Sequence, residues 1–253
     1  MQPGVTVRVG LFVTCLANLM RPAVGFAAMR LLQVAGCQVV VPPTQTCCGQ
    51  PAYNAGDFQA SRRIARKCAQ DFAGCDYVVV PSGSCAGMIR VHYPRLFDGA
   101  TAEGRQVREL AARTLELTSF LVEIAGLSEP PGRYQGKITY HDSCSGLREL
   151  GVKAAPRTLL ERMPGLVLEE MAGCETCCGF GGTFAVKFGE ISSHLADYKC
   201  AAIHATGAQA VVGGDLGCLL HIEGRLRRLG DEGTRVLHVA EVLAGVQGEV
   251  AWK

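Results

Sequence analysis

The chain has 253 residues, 48% of them hydrophobic and 19% charged, with a net charge of +2. That length accommodates one large or two small domains, and the balance excludes a disordered chain and a strongly basic nucleic-acid binder. Its uncharged stretches, 12 residues between Arg8 and Arg21 and the polar run 31–56, also fall short of the roughly 20 apolar residues of a membrane span.

In chain order, Val5–Thr14 reads as a strand, followed by a helix over about 24–35. Val39–Val41 is a second strand, closed by Pro42 and Pro43. Phe58, Ala65, Ala69 and Phe72 fall on one helical face, and Tyr77–Val80 is a third strand. Ser128–Gly132 contains two prolines and a glycine, which resist both helix and strand and mark a linker. Beyond it, Ile138–Tyr140 and Leu166–Leu168 read as strands. Phe188, Ile191, Leu195, Tyr198 and Ala202 step by three and four and predict a buried helical stripe. Ala210–Val212 is a further strand, and Leu219, Ile222, Leu226 and Leu229 mark the helix after it. This alternation predicts an α/β fold whose halves each hold a small, mostly parallel sheet flanked by helices.

The chain also repeats itself. Cys15, the pair Cys47-Cys48 before Gly49, and Cys85 recur as Cys144, Cys177-Cys178 before Gly179, and Cys218, at offsets of 129, 130 and 133 residues. Two similar cysteine-rich halves are expected, 1–130 and 131–253. Cys15, Cys85, Cys144 and Cys218 each follow a strand, where ligands bind in open α/β sheets. The vicinal pairs lie in glycine-bearing loops. Four elements of each half are thus expected to meet at one rim, with helices starting after Cys85 and Cys218 adding favourable partial charge.

Thirteen cysteines with no signal peptide in view do not read as a secreted disulfide framework, so a cytoplasmic, reducing setting is expected. Four converging thiolates suit either an iron–sulfur cluster or tetrahedral zinc. The expected ligands are Cys15, Cys47, Cys48 and Cys85 in the first half, and Cys144, Cys177, Cys178 and Cys218 in the second. One [4Fe–4S] cluster per half is the leading reading, with zinc an alternative in one half. A phosphate cradle lacks the Lys-Ser/Thr signature, and a redox disulfide would have to be invoked twice. Cys37, Cys68, Cys75 and Cys200 read as core residues, while Cys174 forms a C-x-x-C with Cys177 and is ambiguous. His141 and His221 flank ligands by three residues, but lone histidines at strand ends are commonly structural. Arg21, Arg90 and Arg148 fall near the expected rim.

The segments Phe12-Val13-Thr14-Cys15, Cys47-Cys48-Gly49-Gln50-Pro51-Ala52-Tyr53-Asn54, Pro81-Ser82-Gly83-Ser84-Cys85 and Cys177-Cys178-Gly179-Phe180-Gly181-Gly182-Thr183-Phe184 resemble the signature segments of the cysteine-rich CCG domain. That family includes a cysteine-rich component of heterodisulfide reductase and iron–sulfur subunits of glycolate- and lactate-oxidising systems. The likeness covers essentially the whole chain and is nearest to the lactate-utilisation branch. It implies a non-flavin iron–sulfur subunit of a cytoplasmic oxidoreductase complex that oxidises L-lactate, a small 2-hydroxy acid, to pyruvate. It also implies companion lactate-utilisation subunits, one of them a ferredoxin-like iron–sulfur protein. The family's closing C-x-x-C is incomplete here: Ser82 and Asp215 stand where its first cysteine would be. Four rather than five thiols per half favour an ordinary cubane cluster over the disulfide-reducing type. A disulfide-reductase component and a zinc-stabilised scaffold for redox partners are the competing readings.

Overall fold

The computed structural model describes residues 6–246, so Val5 of the first expected strand lies outside the described residues. Two four-stranded sheets are built on one plan. The first joins β1 (Arg8–Leu11), β2 (Gln38–Val40), β3 (Tyr77–Val80) and β4 (Thr114–Glu116) in the order β2-β1-β3-β4. The second joins β5 (Gly136–His141), β6 (Leu166–Leu168), β7 (Ala210–Gly213) and β8 (Arg235–His238) in the order β6-β5-β7-β8. Every pairing is parallel, and the registers correspond: Gly10 faces Val78 as Thr139 faces Val211. Val78–Val80 and Val211–Val212 are fully buried, as a parallel strand covered on both faces requires.

Strands β4 and β8 escape a reading by hydrophobic runs. Each is short, and Glu116, Arg235 and His238 interrupt any apolar pattern. Residues 126–135 carry neither helix nor strand. Phe58 opens its helix (Phe58–Asp71) exposed, whereas Ala65, Ala69 and Phe72 are buried.

The helix Gly189–Ala205 corrects an expectation. Phe188, Ile191 and Tyr198 are 52%, 56% and 69% exposed, so their stripe is not the buried one. The buried face is Ser192, Ala196, Lys199, Cys200 and Ile203. The cause is proximity to the chain around Gly179. A Cβ at Gly179 would lie 2.4 Å from the Ser192 carbonyl oxygen and 3.1 Å from Leu195 Cβ, so the Ser192 side of the helix is the covered one.

The core does not respect the halves. Val9, Leu11, Leu31, Ile138, Tyr140, Val239 and Leu243 belong to one continuous cluster. The helix Val239–Ala244, at the end of the second half, packs on Ala23–Val34 of the first. The two sheets are therefore fixed relative to one another by apolar burial, and their equivalent strand ends face a common space.

Candidate metal centre

Each sheet delivers two cysteines at the carboxyl ends of its central strands. After β1, the Thr14 hydroxyl caps the helix Cys15–Met20 by accepting from Ala17 N–H at 3.3 Å, making Cys15 its first residue. After β5, Ser143 caps Cys144–Leu150 in the same way, with Cys144 first. After β3, Ser82 caps Gly83–Gly87, and after β7, Asp215 caps Leu216–Arg228. Cys85 and Cys218 are the third residues of those helices. The helices thus begin before these cysteines, not after them, because the capping residues stand three positions upstream.

The vicinal pairs close the two sets. In the first, Cys15 Sγ lies 3.7 Å from Cys47 Sγ, and Cys48 Sγ 3.4 Å from Cys85 Sγ. Gly49 N–H donates to Cys47 Sγ at 3.4 Å. In the second, Cys177 is within hydrogen-bonding reach of Cys144 and Cys178, and Cys178 of Cys218. Gly179 N–H donates to Cys177 Sγ at 3.4 Å and Phe180 N–H to Cys178 Sγ at 3.5 Å. Gly49 and Gly179 take φ of +80° and +91°, a left-handed backbone open to glycine, and this turns their N–H groups back onto sulfur. All eight predicted cysteines are thus gathered, four and four.

The sulfur electrostatics match in the two sets. Hydrogen bonds from Cys15, then Cys48, hold the Cys47 thiol far below its ordinary range. Hydrogen bonds from Cys144, then Cys178, do the same for Cys177. The thiols that donate, Cys15, Cys48, Cys144 and Cys178, are pushed up by those same bonds and by burial. Within each set the hydrogen bonds thus single out one thiol, Cys47 or Cys177, as the one most readily ionised.

Cysteines of both sets open on one cleft of about 550 Å³ between the halves. Cys15, Cys47, Cys48 and Cys85 line one side, and Cys144, Cys218 and the Phe180–Thr183 loop line the other.

Different fasteners hold the two loops, and neither is announced by a motif. Tyr93, fully buried, donates its hydroxyl to the Cys48 carbonyl at 2.7 Å. In the second half, Lys199, 1% exposed, donates Nζ to the carbonyls of Gly173 at 2.7 Å and Cys174 at 3.3 Å. Lys199 stands on an otherwise ordinary helix, so periodicity gives no hint of its role. Arg157 grips Asp142 with Nη1 and Nη2, each at 2.9 Å, and so fixes the turn from β5 to Cys144.

His141, at the end of β5, is buried beside the Cys174 backbone. Burial holds it neutral, its pKa lowered to about 3. His221 lies apart, its Nε2 3.2 Å from Ser192 Oγ. Cys37, Cys68, Cys75 and Cys200 are buried in the cores. Cys174 is half-buried near Asp142 and Glu170 and takes no part in the second set's thiol contacts. Arg21 reaches Glu223 and the Val236 carbonyl, and Arg90 the Thr114 carbonyl, so both serve the fold rather than the rim.

These residues fit a thiolate-held metal group. Soft donors stand within contact distance, glycine N–H groups point at sulfur, and a neutral imidazole sits beside Cys178 and Cys218. Among the described residues no helix is long and apolar enough to cross a membrane.

The cysteine-rich domain (CCG) matches residues 9–90 and 138–223. Lactate utilization protein A of Geobacillus kaustophilus (strain HTA426) is 46% identical over 93% of this chain and 98% of its own. The protein of that name from Halalkalibacterium halodurans is 44% identical over 93% and 96%. Lactate utilization protein A 2 of Bacillus cereus (strain AH820) is 43% identical over 94% and 98%. A hypothetical protein from Helicobacter pylori shares the fold with a TM-score of 0.69 at 10% identity, over 96% of this chain and 49% of that one.

Proposed function

The chain belongs to the cysteine-rich domain (CCG) family, and from that premise we propose that it is an electron-transfer component of an L-lactate-oxidising assembly that forms pyruvate. One observation carries the proposal: two matching sets of four thiols gather at the strand ends, and six of the eight cysteines line a single cleft. Cys15, Cys47, Cys48 and Cys85 would hold one [4Fe–4S] cluster, and Cys144, Cys177, Cys178 and Cys218 another. Bound iron–sulfur clusters supply one-electron storage.

The chain's own residues do the rest. Gly49, Gly179 and Phe180 N–H groups stabilise negative charge on sulfur. Tyr93 and Lys199 hold the cysteine loops in place, so little reorganisation accompanies a change of charge. Lactate to pyruvate releases two electrons and two protons, which two one-electron sites in one cleft match in number. The hydride chemistry falls to another subunit or an organic cofactor. The implied companions are other lactate-utilisation subunits, including a ferredoxin-like iron–sulfur protein, in the cytoplasm.

Ser82 and Asp215 favour the four-thiol reading over the five-thiol, disulfide-reducing one. They are buried and hydrogen-bonded to each other, so neither is free to ligate. The test is anaerobic purification with iron, sulfide and zinc counted per chain, followed by reduction with the lactate-oxidising partners and lactate. Close to eight irons and a lactate-dependent bleaching of the visible spectrum are expected. Zinc alone, colourless and redox-silent, would overturn the electron-transfer role.

A further inference from the structure

We propose that Glu116 is the proton store of the two centres: its carboxylate binds a proton when a centre gains an electron and gives it up when the electron leaves, through one water held between the halves beside Tyr140. The inference rests on the reading that the eight cysteines hold redox-active metal, and deepens it by saying where the charge of each electron is balanced.

The geometry comes first. Glu116 closes β4 and is buried. Its three hydrogen bonds, from Thr118 N–H, the Thr118 hydroxyl and Ser119 N–H, all fall on Oε2. Oε1 faces Gly214 of the second half. A Cβ on Gly214 would lie 3.7 Å from Oε1 and 3.3 Å from the Tyr140 hydroxyl, so the two oxygens border one gap. That gap is a cavity of about 10 Å³, the space of one water. Its walls include Gly83, two residues before Cys85, and Ser143, the residue before Cys144. The cavity thus backs onto a cysteine-bearing helix from each set.

The surrounding groups single out Glu116. The other carboxylates of the seam are committed: Asp142 to both Nη atoms of Arg157, and Asp215 to Ser82, Ser84 and Gly217. Glu241, the other buried glutamate among the described residues, has Arg21 at 3.8 Å. Of the segments packed on β4, Met88–His92 brings Arg90, which donates to the Thr114 carbonyl, and Gly83–Gly87 brings only the Cys85 thiol, which lines the cleft. His238, the position of the second half that matches Glu116, is held neutral by burial, its pKa lowered to about 4. What acts on Glu116 is desolvation, then its own hydrogen bonds, then Glu123, a charge of like sign. Its pKa is thereby raised to about 7, where one further negative charge nearby decides the protonation state. An electron added at either set is such a charge, and it acts across a poorly solvated seam. The coupling is reciprocal: the electron favours the proton, and the proton favours the electron. The step balances as one electron from oxidation of the 2-hydroxy acid to the centre and one proton from solvent to the Glu116 carboxylate, and both leave together.

The test is reduction-induced infrared difference spectroscopy of the full chain, loaded anaerobically with iron and sulfide. At slightly alkaline pH, wild type should gain the carbonyl band of a protonated carboxylic acid on reduction and lose it on reoxidation. Glu116→Gln, which keeps the shape and an acceptor for Thr118 and Ser119, should bind the same iron and lack the band. Tyr140→Phe should keep the band at a shifted frequency. The wild-type midpoint potential should be level in acid and fall as pH rises through neutrality, because the reduced state holds the extra proton; Glu116→Gln should lose that slope. Should the Gln variant not fold, Glu116→Asp takes its place and should move the band rather than remove it. An iron-loaded wild type that reduces with no such band, or a band that none of these substitutions removes or moves, overturns the proposal while leaving the cysteine assignment standing. A wild-type chain that binds no redox-active metal overturns both.

Discussion

Ser82 Oγ donates to Asp215 Oδ2 at 3.0 Å across a sequence separation of 133 residues. These are equivalent positions of the two halves, the places where the family pattern would put a cysteine in each. The same Asp215 oxygen accepts from Ser84 N–H at 2.9 Å, and its other oxygen caps Gly217 N–H at 3.2 Å. Both residues are buried. Where the repeat lacks its fifth thiols, the fold has a polar latch between the halves.

Asp215→Ala leaves the donors of Ser82, Ser84 and Gly217 unsatisfied in a buried place. A loss of about 3 kcal/mol is expected, against about 1 kcal/mol for Ser82→Ala. The double variant should cost less than the sum, because the two residues share one bond. Chemical denaturation of the four proteins in metal-free form measures this, and strict additivity would contradict the latch.

Gly83 adjoins the same seam. A Cβ there would lie 2.7 Å from the Gly146 Cα and 2.7 Å from Ser143 Oγ, both in the other half. Backbone cannot yield as a flexible side chain would, so Gly83→Ala should destabilise the chain by about 1–3 kcal/mol. It should also widen the cleft, seen as faster amide exchange in the helices Gly83–Gly87 and Cys144–Leu150. Wild-type stability and exchange would refute the close approach.

Glu116 should impose its own pH dependence. It is fully buried, and desolvation raises its pKa from 4.5 to about 7 despite hydrogen bonds from Thr118 and Ser119. Between those values the folded chain binds the proton more tightly than the unfolded chain, so this group's contribution to stability falls as pH rises. Relative to wild type, Glu116→Gln should therefore gain stability from about pH 4.5 to 7, by about 3 kcal/mol at most. Melting curves of the pair across that range test it; a constant difference would show that Glu116 keeps its charge when buried.

The cysteines should sort by function in a metal count. Cys48→Ala or Cys178→Ala should remove the iron of its own half. Cys68→Ala should leave both halves loaded, because burial pushes the Cys68 thiol up to about 12 and keeps it protonated at neutral pH. Equal iron in all three variants would mean that the thiol sets are not the binding sites.

The repeat, the parallel βα alternation and the gathering of eight cysteines are legible in the chain, because each depends on spacing within short segments. Strand ends and glycine loops place Cys15, Cys48 and Cys85 with no knowledge of what packs where. The exposure of Phe188 and Tyr198 is not legible, because a helical period identifies a face but not the neighbour that covers it; the close approach of Gly179 covers the Ser192 side, and the Gly173 and Cys174 carbonyls hold Lys199.

What only the tertiary structure decided lies between the halves or in their differences. Nothing local says that Ser82 meets Asp215 or that cysteines of both sets line one cleft. Such pairings follow from how two twisted sheets settle on a common apolar core, and that packing sums contacts among residues far apart along the chain.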